Sequence, residues 1–587
     1  MTVLDRLRGE LAKRGLDGFL VPRSDEHQGE YVAPSAQRLA YLTGFTGSAG
    51  LAVVLSDRAA LFVDGRYTLQ VRQEADCDIF DIHHLVDEPP PGWLAATLKP
   101  GQKLAFDPWL HTPDQVESLR TACLKAGAEL VPCADNPLDA VWTGRPPAPN
   151  SPIVAHALDH AGKSSTDKRA EIAAQLATDK LDCAVLTDPS SLAWLLNIRG
   201  ADIAFVPLVL AFGLIHSDAT VTLFVDQDRL NAETLAHLGS DVVVQPPDTF
   251  AQTLLTLGRA GKRVRVDFAT APSAVVTGLA GASVDRGADP CALPRACKNP
   301  VELSGSRAAH RRDGVALVKF LSWLSRQESL DEMGAAEKLE AFRAEDPDYR
   351  GPSFPTIAGA GANGAIVHYH STPATNRRLA AGSLFLLDSG GQYPDGTTDI
   401  TRTIAIGTPG AEERRNFTLV LKGHIALARA VFPAGTTGPQ LDALARQALW
   451  QYGLDYDHGT GHGVGSYLSV HEGPQRIGKQ GHAAVALKPG MVLSNEPGYY
   501  KTGCYGIRIE NLQVVTEIDA PPGAEKKLLG FETLTLAPID RSLIDRALLS
   551  DDEREWLNGY HARVMAELAE LLPPTERTWL AAATYPL

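Results

Sequence analysis

The sequence predicts a mixed α/β (α+β) protein of three domains, the first two built alike. Three observations lead there. Two stretches of chain repeat the same short apolar words in the same order, two proline-bearing breaks divide the chain, and strand-like apolar runs alternate with helical patterns. A length of 587 residues is too great for one hydrophobic core and suggests roughly three to four domains.

The repeat is read word by word. Leu16-Asp17-Gly18-Phe19-Leu20-Val21 matches Leu181-Asp182-Cys183-Ala184-Val185-Leu186, and Leu39-Ala40-Tyr41-Leu42 matches Leu192-Ala193-Trp194-Leu195. Leu61-Phe62-Val63-Asp64 then matches Leu223-Phe224-Val225-Asp226. Each copy opens with a helical pattern, continues with a short apolar strand and reaches a second strand ending in Asp, the signature of an α/β unit with a mainly buried sheet. The run Gly144-Arg145-Pro146-Pro147-Ala148-Pro149-Asn150 cannot continue a helix or a central strand, because its prolines remove backbone donors and fix φ. A second break falls at Cys297-Lys298-Asn299-Pro300. The expected domains are therefore 1–150, 151–299 and 300–587.

In the third domain, Glu302 begins a long helical pattern with Leu317, Phe320, Leu321 and Leu324 on one face. Ser383 to Leu387 reads as a strand, Pro394-Asp395-Gly396 as a hairpin turn and Thr398 to Ile406 as the return strand, which sets Asp388 and Asp399 on neighbouring strands. The alternation Ile507-Arg508-Ile509-Glu510 puts Arg508 and Glu510 on one strand face and both isoleucines in the core. Pro497 biases Glu496 toward an extended backbone, so the acidic residues are expected on a sheet platform. Beyond them, a C-terminal extension carries Trp556, Tyr560, Val564, Leu568 and Leu571 at helical spacing behind a cap at Ser550, a core or interface stripe.

Composition excludes several classes. A net charge of -15 argues against a nucleic-acid partner. No apolar run reaches the roughly 18 to 20 residues of a membrane span, and the charged start lacks a signal-peptide core. Seven scattered cysteines without Cys-x-x-Cys spacing read as reduced thiols of a cytoplasmic protein.

Chemistry concentrates between Asp388 and Glu510. Asp388, Asp399 in Asp-Gly-Thr-Thr-Asp-Ile-Thr-Arg-Thr, His462 in His-Gly-Thr-Gly-His-Gly-Val-Gly, Glu496 in Asn-Glu-Pro-Gly-Tyr-Tyr and Glu510 in Gly-Ile-Arg-Ile-Glu-Asn form a hard, oxygen-rich donor set suited to Mn, Fe, Co or Zn. Each alone has a bland reading: a strand end for Asp388, a turn cap for Asp399, an ion pair with Arg508 for Glu510. Together they indicate two divalent cations, without which the carboxylates would repel one another. The glycines around His458 and His462 disfavour a helix, and no phosphate-loop lysine follows them. His368 and His471 are isolated in sequence and, taken singly, read as ordinary core or surface histidines.

These words resemble the pita-bread metallopeptidases, the group that includes methionine aminopeptidase, prolidase, creatinase and aminopeptidase P. With the leading Asp25 to Tyr31, Gly44 to Gly50 and Asp64-Gly65-Arg66-Tyr67, the chain is similar along essentially its whole length to the long three-domain aminopeptidases P. The resemblance implies two creatinase-type α/β domains followed by a pita-bread catalytic domain. It also implies two divalent ions, manganese first among Mn, Co, Fe and Zn. Asp388 would hold one ion, His462 and Glu496 the other, and Asp399 and Glu510 both, with Arg508 beside them. His368, His458 and His471 would surround the substrate. Arg66 would bind substrate across a subunit boundary, implying a homodimer. His370 stands where relatives carry a small residue, and its role is left open between the substrate channel and solvent.

The implied reaction is release of the N-terminal residue from peptides with proline second, by a water held between the ions. Glu496 is the expected general base, His471 or His368 the oxyanion donor, and Asp388 the partner of the substrate's amino terminus. Two alternatives stand beside it: a prolidase-like Xaa-Pro dipeptidase, and a non-catalytic pita-bread module that binds a peptide or protein.

Overall fold

Each repeated stretch folds into a six-stranded sheet, and the two sheets share one topology. In a computed structural model describing residues 2–479 and 484–587, the first sheet holds Gly18–Pro22, Leu51–Leu55, Ala59–Val63, Asp81–His84, Lys103–Phe106 and Glu129–Pro132. The second holds Cys183–Leu186, Phe212–His216, Val221–Phe224, Val242–Gln245, Arg263–Val266 and Ser283–Arg286. Counted along the chain, the spatial order in both is 4-3-2-1-5-6. The first three strands of each pair antiparallel and the outer ones parallel. The matched words occupy matched places. Gly18–Pro22 and Cys183–Leu186 are central strands buried by cover on both faces, which is why they read as unbroken apolar runs. The helices Arg38–Thr43 and Pro189–Leu196 both stop at a left-handed residue, Gly44 in one and Asn197 in the other, as the two residue types that tolerate that conformation.

Both sheets lie in one compact unit, Met1–Leu158 with Lys163–Ala292. The other unit comprises Asp159–Gly162 and Leu293–Leu587. Residues 145–150, the proline-rich run, carry no regular element.

The second unit opens with the helix Pro300–Leu324. Asn299 caps it, its side chain accepting from the backbone of Val301 and Glu302 while Glu302 reaches back to Asn299, an arrangement that stabilises a helix start by about 1 kcal/mol. Its buried face carries Leu317, Phe320, Leu321 and Leu324, as the spacing predicts. That face packs on a three-stranded antiparallel sheet of Ile357–Ala360, Ser383–Ser389 and Ile400–Ile406. A six-stranded sheet supplies Gly461–Gly463, Glu472–Ile477, Val492–Asn495 and Asn511–Ile518, and a hairpin pairs Gly498–Lys501 with Tyr505–Arg508.

The C-terminal helix Asp551–Leu568 begins at the Ser550 cap and buries Tyr560, Val564 and Leu568. Leu571 departs from the predicted stripe. The α-helix has ended and the chain has tightened into a 3-10 turn over Ala569–Leu571, which leaves Leu571 52% exposed. The seven cysteines form no disulfide. No helix among the described residues is long and apolar enough to cross a membrane.

Candidate metal centre

Two sheets and a hairpin deliver the five candidate ligands. Asp388 lies within Ser383–Ser389, opposite Thr401, and His462 is the central residue of Gly461–Gly463. The other three depart from the expectation of residues on strands. Asp399 immediately precedes Ile400–Ile406, Glu496 immediately follows Val492–Asn495, and Glu510 stands between Tyr505–Arg508 and Asn511–Ile518. The reason for the last break is a change of partner: Arg508 pairs with Gly498, whereas Asn511 pairs with Asn495. At these strand ends the backbone is held by single bonds, from Glu510 N to Thr401 O at 3.1 Å and from Glu496 N to Thr460 O at 2.9 Å. Gly461 is required by close approach, since a methyl group there would collide with the Ser494 carbonyl oxygen.

The side chains converge. One ligand atom each from Asp399, His462 and Glu510 lies within 4.8 Å of the others. His462 Nε2 is 3.4 Å from Asp399 Oδ2 and 3.6 Å from Glu496 Oε1. Asp388 accepts from Arg508 Nη2 at 2.6 Å through Oδ2, while its Oδ1 is buried without a hydrogen-bond partner. The bland pairing of Glu510 with Arg508 is thus replaced by a pairing of Arg508 with Asp388.

The donor set fits cations. His462 Nδ1 donates to the Gly463 carbonyl at 2.9 Å, which turns Nε2 toward the carboxylates, the orientation a metal-ligating imidazole takes. Burial lowers the His462 pKa, but the hydrogen bond to Asp399 and the charges of Glu496 and Asp399 outweigh it and raise it to about 9. The field that would hold a proton on Nε2 is the field that would hold a cation. Burial raises Asp388 to about 7 against the opposing pull of Arg508, and lifts Glu496 and Glu510 as well, with mutual repulsion among the acids adding to it.

Residues without a motif of their own hold the ligands in place. Thr401 Oγ1 donates to Glu510 Oε2 at 2.8 Å. Ser494 Oγ accepts from His462 N and donates to Glu496 Oε1 at 3.2 Å. His424, held neutral by burial with a pKa near 3, donates from Nδ1 to Asn495 O and accepts at Nε2 from Asn511 Nδ2, tying together the residues that flank Glu496 and Glu510. Arg402 is buried, and its hydrogen-bond acceptors are the carbonyls of Thr401, Glu510, Ala537 and Pro538, the Asn511 amide oxygen and the Tyr560 hydroxyl. Among these, only the period-two spacings of Thr401 from Asp399 and of Ser494 from Glu496 give a signal in the sequence.

Two of the three histidines expected near substrate contact the cluster directly. The His471 ring meets the His462 ring edge-on at 4.2 Å between centroids. His458 Nδ1 lies 4.0 Å from Glu496 Oε2 and donates to Gly459 O, while its Nε2 accepts a hydrogen bond from the Tyr500 hydroxyl, whose oxygen accepts from Arg508 Nη1 at 2.6 Å. His368 sits on the segment following Ile357–Ala360, next to Val367, whose carbonyl accepts from Arg508 Nη2 at 3.4 Å. His370, two residues on, is exposed. Arg66 belongs to the first unit, where it pairs with Asp64 at 2.7 Å and Glu30 at 3.5 Å.

Comparison with known proteins places these features in a family. Residues 304–517 match metallopeptidase family M24 and residues 527–587 the C-terminal region of that peptidase. Residues 4–141 and 144–302 each match a creatinase/prolidase N-terminal domain. A probable Xaa-Pro aminopeptidase P of Aspergillus niger is 41% identical over 100% of this chain and 98% of its own length, and one of Talaromyces marneffei is 40% identical over 100% and 92%. The crystal structure of X-prolyl aminopeptidase from Caenorhabditis elegans, described as a cytosolic enzyme with a di-nuclear active site, superposes with a TM-score of 0.95 at 36% identity, covering 100% of this chain and 99% of that one. The prolidase of Pyrococcus horikoshii OT3 has a TM-score of 0.51 at 24% identity over 64% of this chain and 100% of its own, a likeness of fold alone. At that identity to the fungal enzymes over its full length, this chain belongs to the Xaa-Pro aminopeptidase P family of M24 metallopeptidases.

Proposed function

We propose that this metallo-aminopeptidase releases the N-terminal residue of peptides with proline at the second position, by hydrolysis of the Xaa-Pro bond. The observation that carries the reading is the convergence of Asp399, His462 and Glu510 within 4.8 Å of one another. Asp388, Asp399, His462, Glu496 and Glu510 would hold two divalent ions, Asp399 and Glu510 shared between them, and manganese suits this carboxylate-rich set. Bound ions of this kind supply Lewis acidity and lower the pKa of water.

The chain's own groups do the rest. Glu496, whose Oε1 is held by Ser494, presents Oε2 to take a proton from the attacking water and return it to the proline nitrogen as the C–N bond breaks. His471, whose ring meets His462, or His368 would donate to the developing oxyanion, and His458, bonded to Tyr500, would complete the substrate wall. Asp388 is the carboxylate for the substrate's amino terminus, which would restrict removal to one residue at a time. Proline in the substrate offers a tertiary amide without an N–H, so recognition rests on ring shape.

Arg66 completes substrate binding from a partner subunit, making the working form a homodimer, and the cytoplasm is its compartment. The division into 1–150, 151–299 and 300–587 is kept as the domain scheme, supported by the two sheets and the matched stretches.

The test is a panel of Xaa-Pro dipeptides and Xaa-Pro-Xaa tripeptides assayed with metal-stripped protein and each ion restored in turn. Release of the first residue from tripeptides is expected. Cleavage of dipeptides alone would assign a prolidase-type activity, and no cleavage with two ions bound per chain would leave a binding module.

A further inference from the structure

The helix Glu332–Arg343 begins with a carboxylate that the peptidase reaction does not use. Glu332 is fully buried, and its two oxygens gather donors from four residues of one segment. Oε1 accepts from Ala360 N at 2.7 Å and Asn363 Nδ2 at 2.9 Å. Oε2 accepts from Tyr369 OH at 2.9 Å and Arg377 N at 2.9 Å. Ala360 closes the strand before residues 361–376, Arg377 follows them, and Tyr369 points back from their middle. A single side chain therefore fastens both ends and the centre of a stretch that otherwise holds only a short 3-10 turn.

That stretch carries His368, and its two chain neighbours are fixed to different anchors. Tyr369 is tied to Glu332, and Val367 O accepts from Arg508 Nη2, the nitrogen that also donates to Asp388. The near edge of the stretch lies on the Tyr505–Arg508 strand, where a methyl group on Gly506 would collide with the Gly364 carbonyl. His368 is thus suspended between the ligand cluster and Glu332. Charge-assisted bonds to a buried carboxylate are the stronger and more directional kind, and they lock a backbone that has no ladder of its own.

We infer that Glu332 is a positioning residue that sets His368 against the substrate, an inference that rests on the aminopeptidase reading of the same site. Glu332→Gln is the sharp variant. It keeps the shape, yet whichever way the amide turns, its NH2 faces a backbone N–H of Ala360 or Arg377. Holoprotein bearing Glu332→Gln is expected to lose about tenfold or more in kcat/KM on an Xaa-Pro-Xaa tripeptide while retaining two ions per chain. In the His368→Ala background the same change should cost less than about twofold, because the group it positions is gone. Full additivity of the two losses, or a loss that follows missing ions, would overturn the inference. If Glu332→Gln does not fold, Tyr369→Phe removes the hydroxyl that reaches Glu332, together with its contacts to Asn363 and Thr375, and the same cycle applies, with smaller losses that again should not add. Wild-type holoprotein that cleaves no tripeptide would sink the aminopeptidase reading and this inference with it, whereas an active wild type with an additive cycle sinks the inference alone.

Discussion

Two buried acidic sites in the second unit handle charge in opposite ways. Glu472 is completely enclosed and meets two cations, Lys298 Nζ at its Oε1 and Arg295 Nε 3.3 Å from its Oε2. Across the paired strands, Asp388, Asp399, Glu496 and Glu510 share one guanidinium in direct contact, Arg508 on Asp388. The first site is an ion-paired strut in which each carboxylate oxygen faces a cation. The second sets four carboxylates against that guanidinium and the His462 imidazole, an excess of acid that bound divalent ions would offset. The two stand side by side: His471 leans on His462, and the next residue is Glu472. Burial of acids alone therefore does not make a candidate metal centre; what sets the second site apart is acids in excess of their counter-ions.

The contrast is broken most severely by neutralising a shared ligand. Asp399→Asn or Glu510→Gln should lower kcat/KM for a tripeptide by about a thousandfold or more, equivalent to about 4 kcal/mol of transition-state stabilisation. The check is steady-state kinetics with metal analysis on the same samples, and near-normal turnover would contradict the ligand set. Glu472→Gln should do the reverse. By stranding Lys298 and Arg295 it should cost about 3–5 kcal/mol in denaturant unfolding, while the protein that remains folded keeps its ions.

Chelation sharpens the comparison through pH. With ions removed, Asp388 at about 7 and His462 at about 9 both bind protons more tightly in the folded chain than in the unfolded one. The folded state then holds the excess protons, so stability should fall as pH rises from about 4 through about 7 on account of Asp388, and onward to about 9 on account of His462. Each proton in play contributes a slope of about 1.4 kcal/mol per pH unit. With ions restored the carboxylates serve as anions, and stability should instead rise toward neutral pH. Thermal melts of the two forms over pH 5–8, a span of about three units set by these groups, decide it; parallel profiles would count against metal binding by these groups.

The smallest effect is expected at Arg66, whose charge is already met by Asp64 and Glu30. Arg66→Ala should raise KM by about tenfold with a lesser fall in kcat, since a binding residue acts on ground and transition states alike. Equal loss in both parameters would place Arg66 in the transition state.

The candidate ligands are legible because each sits in a distinctive word, and the repeat because strands buried on both faces read as apolar runs. Leu571 was misread because a periodic stripe gives no sign of where the helix stops. Alternation in the sequence puts Glu510 on a strand, but it gives no sign of the exchange of partners between Arg508 and Asn511 that leaves Glu510 between two strands. His424 and Glu332 stayed hidden for another reason. Their partners lie 71 and 45 residues away, in no recurring spacing, and only the folded chain brings them together.

Arg402 has a consequence of its own. Every oxygen it grips is uncharged, and among them are the main-chain carbonyls on either side of the metal pocket, Thr401 and Glu510. The chain's own guanidinium thus pins the framework from behind, while the acidic side chains in front are steadied separately by Arg508, Thr401 and Ser494.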